Sequence, residues 1–208
     1  MLEHPRILKP NQSYTFHSYF ELRFAPAEIL ADFGVRLQKT AIDLPISTAT
    51  EEQRDRILGL SDRLSESIRR TSLNSEAARR EALIAPLLFE VAHLADATIN
   101  IEYPLEVNQY LKGDLDYYLQ ADRHLLVVEA KNADLTRGFT QLATELIAID
   151  QWSPSSEAYI YGAVTTGEIW QFGRYDRVNQ TIDQDLMLYR VPTDLDELLP
   201  RLVGILKD

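Results

Sequence analysis

Four residues stand out by type and spacing: Asp114 and Asp116 in DLDYYL, and Glu129 and Lys131 in HLLVVEAK. Residues two apart share one face of an extended strand, so each pair points the same way. An apolar run such as LLVVEA has the composition of a strand covered on both faces. An acid and a lysine there cost several kcal/mol unless they are paired, hydrated or bound to a metal. The short QADR between the two runs predicts a hairpin, which makes the strands antiparallel neighbours. With the turn centred on Ala121 and Asp122, Asp114 faces Glu129 and Asp116 faces Val127. Three carboxylates and one lysine then converge. Crowded carboxylates repel, which raises the pKa of at least one unless a cation compensates, and an all-oxygen donor set suits Mg²⁺ or Mn²⁺ rather than zinc. A cation there would lower the pKa of a bound water and offset charge on a phosphodiester under attack. Lys131 would orient the nucleophile or stabilise the transition state.

The elements that must hold these residues follow from the pattern around them. From Thr98 the periodicity changes from helical to extended, and TINIEYPLEV, DLDYYL and HLLVVEAK predict three sequential strands. In TRGFTQLATELIAID, Phe139, Leu142, Leu146 and Ile149 recur at helical spacing, so Gln141 rides on a helix after the third strand. Glu145, one turn on, reads as solvated. AYIYGAVTT and EIWQFGRY predict two strands about a TTGE turn, DLMLYRV another, and a helix closes the chain from about Asp194 to Leu206. Upstream, Asn74 or Ser75 caps a helix that carries Glu90 in its buried half. Thr48–Thr71 is amphipathic, with Thr48 or Thr50 as cap and Ile57, Leu60, Leu64 and Ile68 as its stripe. That stripe packs on the domain or offers a homodimer face. Residues 14–24 predict a strand, followed by a short helix from Pro26 that ends at Gly34. The order from Ser75 gives an α/β fold with a mixed sheet flanked by helices. We read 1–208 as one domain, with 1–73 an N-terminal strand and helix extension and 74–208 the core.

A chain of 208 residues can bury a sizeable core. The absence of cysteine excludes disulfides, thiolate zinc sites and cysteine nucleophiles, and a cytoplasmic location is the expectation. No run approaches about 18 apolar residues, so no membrane partner is expected. His93 and His124 read as rim residues rather than ligands, and Trp152, Trp170, Tyr159 and Tyr161 as packing. The 21 basic against 32 acidic residues leave −11, which taken alone argues against nucleic acid. The charge is unevenly spread, however. Arg54, Arg56, Arg63, Arg69, Arg70, Arg79 and Arg80 crowd one stretch, and Lys112, Arg123, Lys131 and Arg137 predict a local basic rim at the candidate site.

An acid-x-Lys tripeptide is a weak motif; its context discriminates. Glu90 on a helix, Asp116 in a strand, Glu129-Ala130-Lys131 ending the next, and Gln141 on the following helix together resemble the PD-(D/E)XK nuclease superfamily, with its restriction-endonuclease-like fold. The resemblance covers about residues 75 to 175. It implies Asp116 and Glu129 as metal ligands, the Ala130 carbonyl as a third, and Lys131 as the catalytic lysine. Glu90 matches the acid of the first core helix and Gln141 the glutamine after the motif, with Asp114 and Glu90 as further candidate ligands. Asp116 stands before the aromatic-apolar run Tyr117-Tyr118-Leu119, as the family's acid often does, whereas hairpin register favours Asp114. Leu115 and Gly113 stand where many members have proline. The implied function is Mg²⁺-dependent hydrolysis of phosphodiester bonds, of DNA, with Mn²⁺ able to substitute. The alternative is a non-catalytic module of the same fold whose acidic surface binds a protein partner.

Overall fold

The computed structural model describes residues 6–122, 124–153 and 157–207. Two short helices, α1 (Phe16–Glu21) and α2 (Pro26–Ala31), precede strand β1 (Arg36–Thr40) and the long helix α3 (Glu51–Arg70). A second helical segment runs through α4 (Glu76–Arg79), a π-helical turn (Arg80–Ile84) and α5 (Ala85–Ala95). Strands β2 (Thr98–Asn108), β3 (Leu111–Ala121) and β4 (His124–Ala130) lead into α6 (Leu135–Trp152). The chain ends with β5 (Tyr159–Thr165), β6 (Ile169–Asp176), β7 (Thr181–Asp185), β8 (Tyr189–Arg190) and α7 (Leu195–Lys207).

The strands form one open sheet in the order β1-β7-β6-β5-β4-β3-β2, with β8 paired to β6. β4 and β5 are parallel, joined by the α6 crossover, as are β1 and β7; the other pairs are antiparallel. The protein is thus α/β, with a mixed sheet flanked by helices. One face packs Leu119, Val128, Ala163 and Phe172 under Leu60 and Leu64 of α3, Leu87 and Val91 of α5, and Leu202 of α7. The other packs Val127, Val164 and Tyr175 under Phe139, Leu142 and Leu146 of α6, joined by Phe16 of α1. Helix α6 sits close because glycines lie beneath it. A Cβ on Gly162 would stand 2.7 Å from Leu142 Cδ1, and one on Gly173 2.9 Å from Phe139 Cε2.

Local signals account for most helix ends. Thr50 and Gln53 cap α3 reciprocally, Ser75 Oγ accepts from Ala78 N–H (3.1 Å), and Asp134 Oδ1 accepts from Arg137 N–H (3.0 Å) at the start of α6. Two expectations are corrected. Residues 14–24 hold helix α1 rather than a strand, because Phe16 and Tyr19 at i, i+3 are the residues that bury. Of DLMLYRV only Tyr189–Arg190 forms a strand, the short β8, with Leu186, Met187 and Leu188 exposed, and an unexpected strand lies before it on the polar TIDQD of β7. Its polar groups find partners in the sheet: Asp183 binds Arg174, and Gln184 Nε2 donates to Gln171 Oε1. Strand β1, which the sequence reading assigned to no element, joins the edge beside β7, and the stripe of α3 is spent on the core.

Candidate active site

Register brings the site together. Ala121 pairs with His124 and Tyr117 with Val128. One further step along this ladder sets Asp116, rather than Asp114, opposite Glu129. The turn lies one residue later than expected, and Asp122 takes a left-handed φ of 48°. Asp114 is exposed, across the β2–β3 ladder from Pro104, which removes it from the cluster. The β3–β4 ladder ends just short of Asp116, whose Oδ2 accepts a 2.9 Å hydrogen bond from Ala130 N–H. Beyond β4, Lys131 N–H donates to Thr165 O (2.8 Å), so the lysine backbone is still held by β5.

Glu129, Lys131, Gln141 and Glu145 form one buried cluster between the end of β4 and helix α6. Glu129 is 1% exposed, Lys131 6% and Glu145 0%. Lys131 Nζ is in ion-pair contact with Glu129 Oε1, and its cation lies 5.2 Å from the ring centroid of Phe20 of α1. Gln141 Nε2 donates to Glu145 Oε1 at 3.0 Å. Glu129 Oε1 has the Lys131 ammonium, whereas Glu129 Oε2, Glu145 Oε2 and Gln141 Oε1 are buried with no donor beyond the close approach of the two carboxyls to one another. Gly138 brings α6 within reach, since a Cβ there would meet Lys131 Cγ and Val164 Cγ2 at 2.8 Å each.

The electrostatics follow from that burial. Desolvation, reinforced by the charges of Glu145 and Asp116, pushes the Glu129 carboxyl well above the ordinary range despite Lys131. Burial likewise pushes Glu145 up to about 7, with hydrogen bonds from Glu129 and Gln141 acting the other way. For Lys131, burial alone would lower the pKa, but the charges of Glu129, Asp116 and Glu76 outweigh it and raise it.

The chain matches no family model, and no curated protein sequence matches it. Among the described residues no three acidic, histidine or cysteine side chains form a ready-made metal cage. Asp116 is held at the cluster's edge, with Oδ1 3.7 Å from Arg80 Nη1. The buried carboxylate oxygens, more numerous than the donors that face them, nevertheless suit a hard divalent cation by donor chemistry.

Glu90 stands apart from this group. Arg56 of α3 grips it with two hydrogen bonds, of 2.6 and 3.1 Å, which accounts for its burial. The acid of the first core helix whose charge acts on Lys131 is Glu76, in the first turn of α4. The expected basic rim does not form. Lys131 is internal, Arg137 pairs with Asp134, Lys112 lies by Pro104 and Asp114, and Arg123 is outside the described residues. Sequence reasoning underrated Glu145, although at 100° per residue it falls within about 60° of Leu142 and Ile149, on the helix's buried stripe. Arg80, legible only as one of a basic stretch, and Phe20 each reach the site from an element distant in sequence.

Proposed function

We propose that the chain is a divalent-metal-dependent nuclease of restriction-endonuclease-like fold that hydrolyses phosphodiester bonds of DNA. The observation that carries this reading is the buried Glu129–Lys131 pair at the end of a central strand, with the buried carboxyl of Glu145 beside it, so that two carboxyl groups share one ammonium. Ionisable groups so deeply buried and so incompletely satisfied are costly to stability and characteristic of functional sites.

Glu129, Glu145 and Asp116, with the Ala130 carbonyl, would hold Mg²⁺ or Mn²⁺, which when bound supplies Lewis acidity and a water of lowered pKa. The protein groups have distinct tasks. Ala130 N–H fixes the Asp116 carboxylate, and Gln141 fixes Glu145. Lys131, its pKa raised, acts as a cation rather than a base: it donates to a phosphodiester oxygen and offsets charge as it develops. Against the net charge of −11, Lys131 and Arg80 place two cations among the acids of the site.

A second reading, a non-catalytic module that binds a protein partner, is favoured by the closure of the cluster beneath Phe20. Incubation of supercoiled plasmid with Mg²⁺, Mn²⁺ or EDTA separates the two. Nicking that needs the metal supports the nuclease; no nicking together with no Mn²⁺ uptake supports the module.

A further inference from the structure

Arg80 ties the site to the groove beside it. It opens the π turn, in which Ala85 N–H donates five residues back to Arg80 O, next to Pro86, which has no N–H to continue an α-helical ladder. From that position its Nη1 lies 3.7 Å from Asp116 Oδ1 and 3.3 Å from Glu102 Oε1, and the guanidinium covers the Tyr117 ring at 5.3 Å from its centroid. Glu102 has a left-handed φ of 52° within β2, between Ile101, paired to Tyr117, and Tyr103, paired to Leu115. That register sets it beside Asp116. Two backbone irregularities thus flank one arginine, and such irregularities collect at functional sites. On its other side Arg80 lines a groove of about 590 Å³ with Glu81, Phe89, Ile101, Glu102 and Tyr117, in which Phe89 is 52% and Ile101 46% exposed.

A guanidinium this close to Asp116 competes with any cation the acid is to bind. Resting on the reading of Asp116 as a cation ligand, we propose that Arg80 is its counter-ion only until a divalent metal binds. The exchange then turns the guanidinium into the groove, where it grips a phosphate of the substrate strand. Divalent charge at Asp116 removes the attraction that holds Nη1 and replaces it with repulsion. Glu102 and the Tyr117 ring keep the guanidinium at the groove wall, and its planar fork suits two phosphate oxygens. Phe89 and Ile101 offer an apolar wall for the adjoining sugar and base. While Arg80 is held between Asp116 and Glu102, one guanidinium faces three acids, Glu81, Glu102 and Asp116, and the groove repels a polyanion. Strand binding therefore waits for the metal.

Calorimetric titration of Mn²⁺ into the wild type, Arg80→Gln, Arg80→Lys and Asp116→Asn tests the exchange without turnover. Arg80→Gln should bind Mn²⁺ about five- to tenfold more tightly, a coupling of ordinary size, while Arg80→Lys stays close to wild type and Asp116→Asn loses most of the affinity. Unchanged or weaker binding by Arg80→Gln, with Asp116→Asn still impaired, overturns the exchange and leaves the metal reading standing. A wild type that takes up no Mn²⁺ overturns both. Anisotropy of a short labelled duplex against salt is the second arm. With Ca²⁺ the salt slope of Arg80→Gln should fall about one unit below wild type, and in EDTA the two should coincide. An equal difference in both media, or none in Ca²⁺, overturns the proposal.

Discussion

The Ala130 N–H donates to Asp116 Oδ2 at 2.9 Å where the β3–β4 ladder gives out. A side chain thus accepts the bond that a neighbouring strand's carbonyl would ordinarily accept, so the sheet itself sets the carboxylate's position. Asp116→Asn keeps an acceptor for Ala130 and removes the charge. Stability should change by less than about 1 kcal/mol, whereas metal-dependent cleavage should fall about 100-fold or more. Urea denaturation beside plasmid nicking checks both, and equal losses in the two would assign Asp116 to the fold alone.

Glu145 links stability to pH. Its carboxyl is pushed up from 4.5 to about 7 by burial, so the folded state holds a proton that the unfolded state releases earlier. Below pH 4.5 the group costs nothing; the cost grows as pH rises and is complete above about 7. Melting of the metal-free protein should therefore fall between pH 5 and about 8, and Glu145→Gln should flatten that fall. Mg²⁺, binding the deprotonated form, should restore the wild type at the upper end. Parallel pH profiles for the two proteins would contradict this.

At Gly138 the expectation inverts the usual helix rule. Alanine in a helix gains about 1 kcal/mol over glycine, but here its Cβ meets Lys131 Cγ and Val164 Cγ2 at 2.8 Å. Lys131 Cγ is mid-chain and Val164 Cγ2 belongs to a stiff β-branched side chain, so Gly138→Ala should destabilise by about 1–3 kcal/mol and displace Lys131, with cleavage down about tenfold or more. A stabilised, fully active variant would show that α6 has room the structure denies.

Glu90 offers the opposite test. Held by Arg56 and away from the cluster, it should be structural. Glu90→Gln should lower the melting temperature and leave most of the cleavage activity, and Arg56→Gln should do the same. Loss of cleavage in a Glu90 variant that melts like the wild type would return this acid to the site.

The sequence carried the strand-borne part of the site because alternation is local: Glu129 and Lys131 share a face whatever the rest of the chain does, and Gln141 follows from a clear helical stripe. Choosing Asp116 over Asp114 needed the hairpin register, which turned on a left-handed Asp122 that spacing does not reveal. Glu90 satisfied the motif but not the geometry, because the partner that buries it, Arg56, sits on another helix. Hydropathy missed β7 for a related reason: TIDQD is buried by partners across the sheet rather than by apolar side chains. The aromatic run at 14–24 was ambiguous between the two periods, and only packing on α6 made it a helix.

The central claim is tested most directly by nicking of supercoiled plasmid with Mn²⁺ or Mg²⁺, running the wild type beside Lys131→Ala from the same preparation. Cleavage that requires the metal and disappears in the variant, with its fold intact, is the predicted result. Equal cleavage by both proteins would contradict the role of Lys131, and no cleavage by either, with no Mn²⁺ bound, would contradict the nuclease.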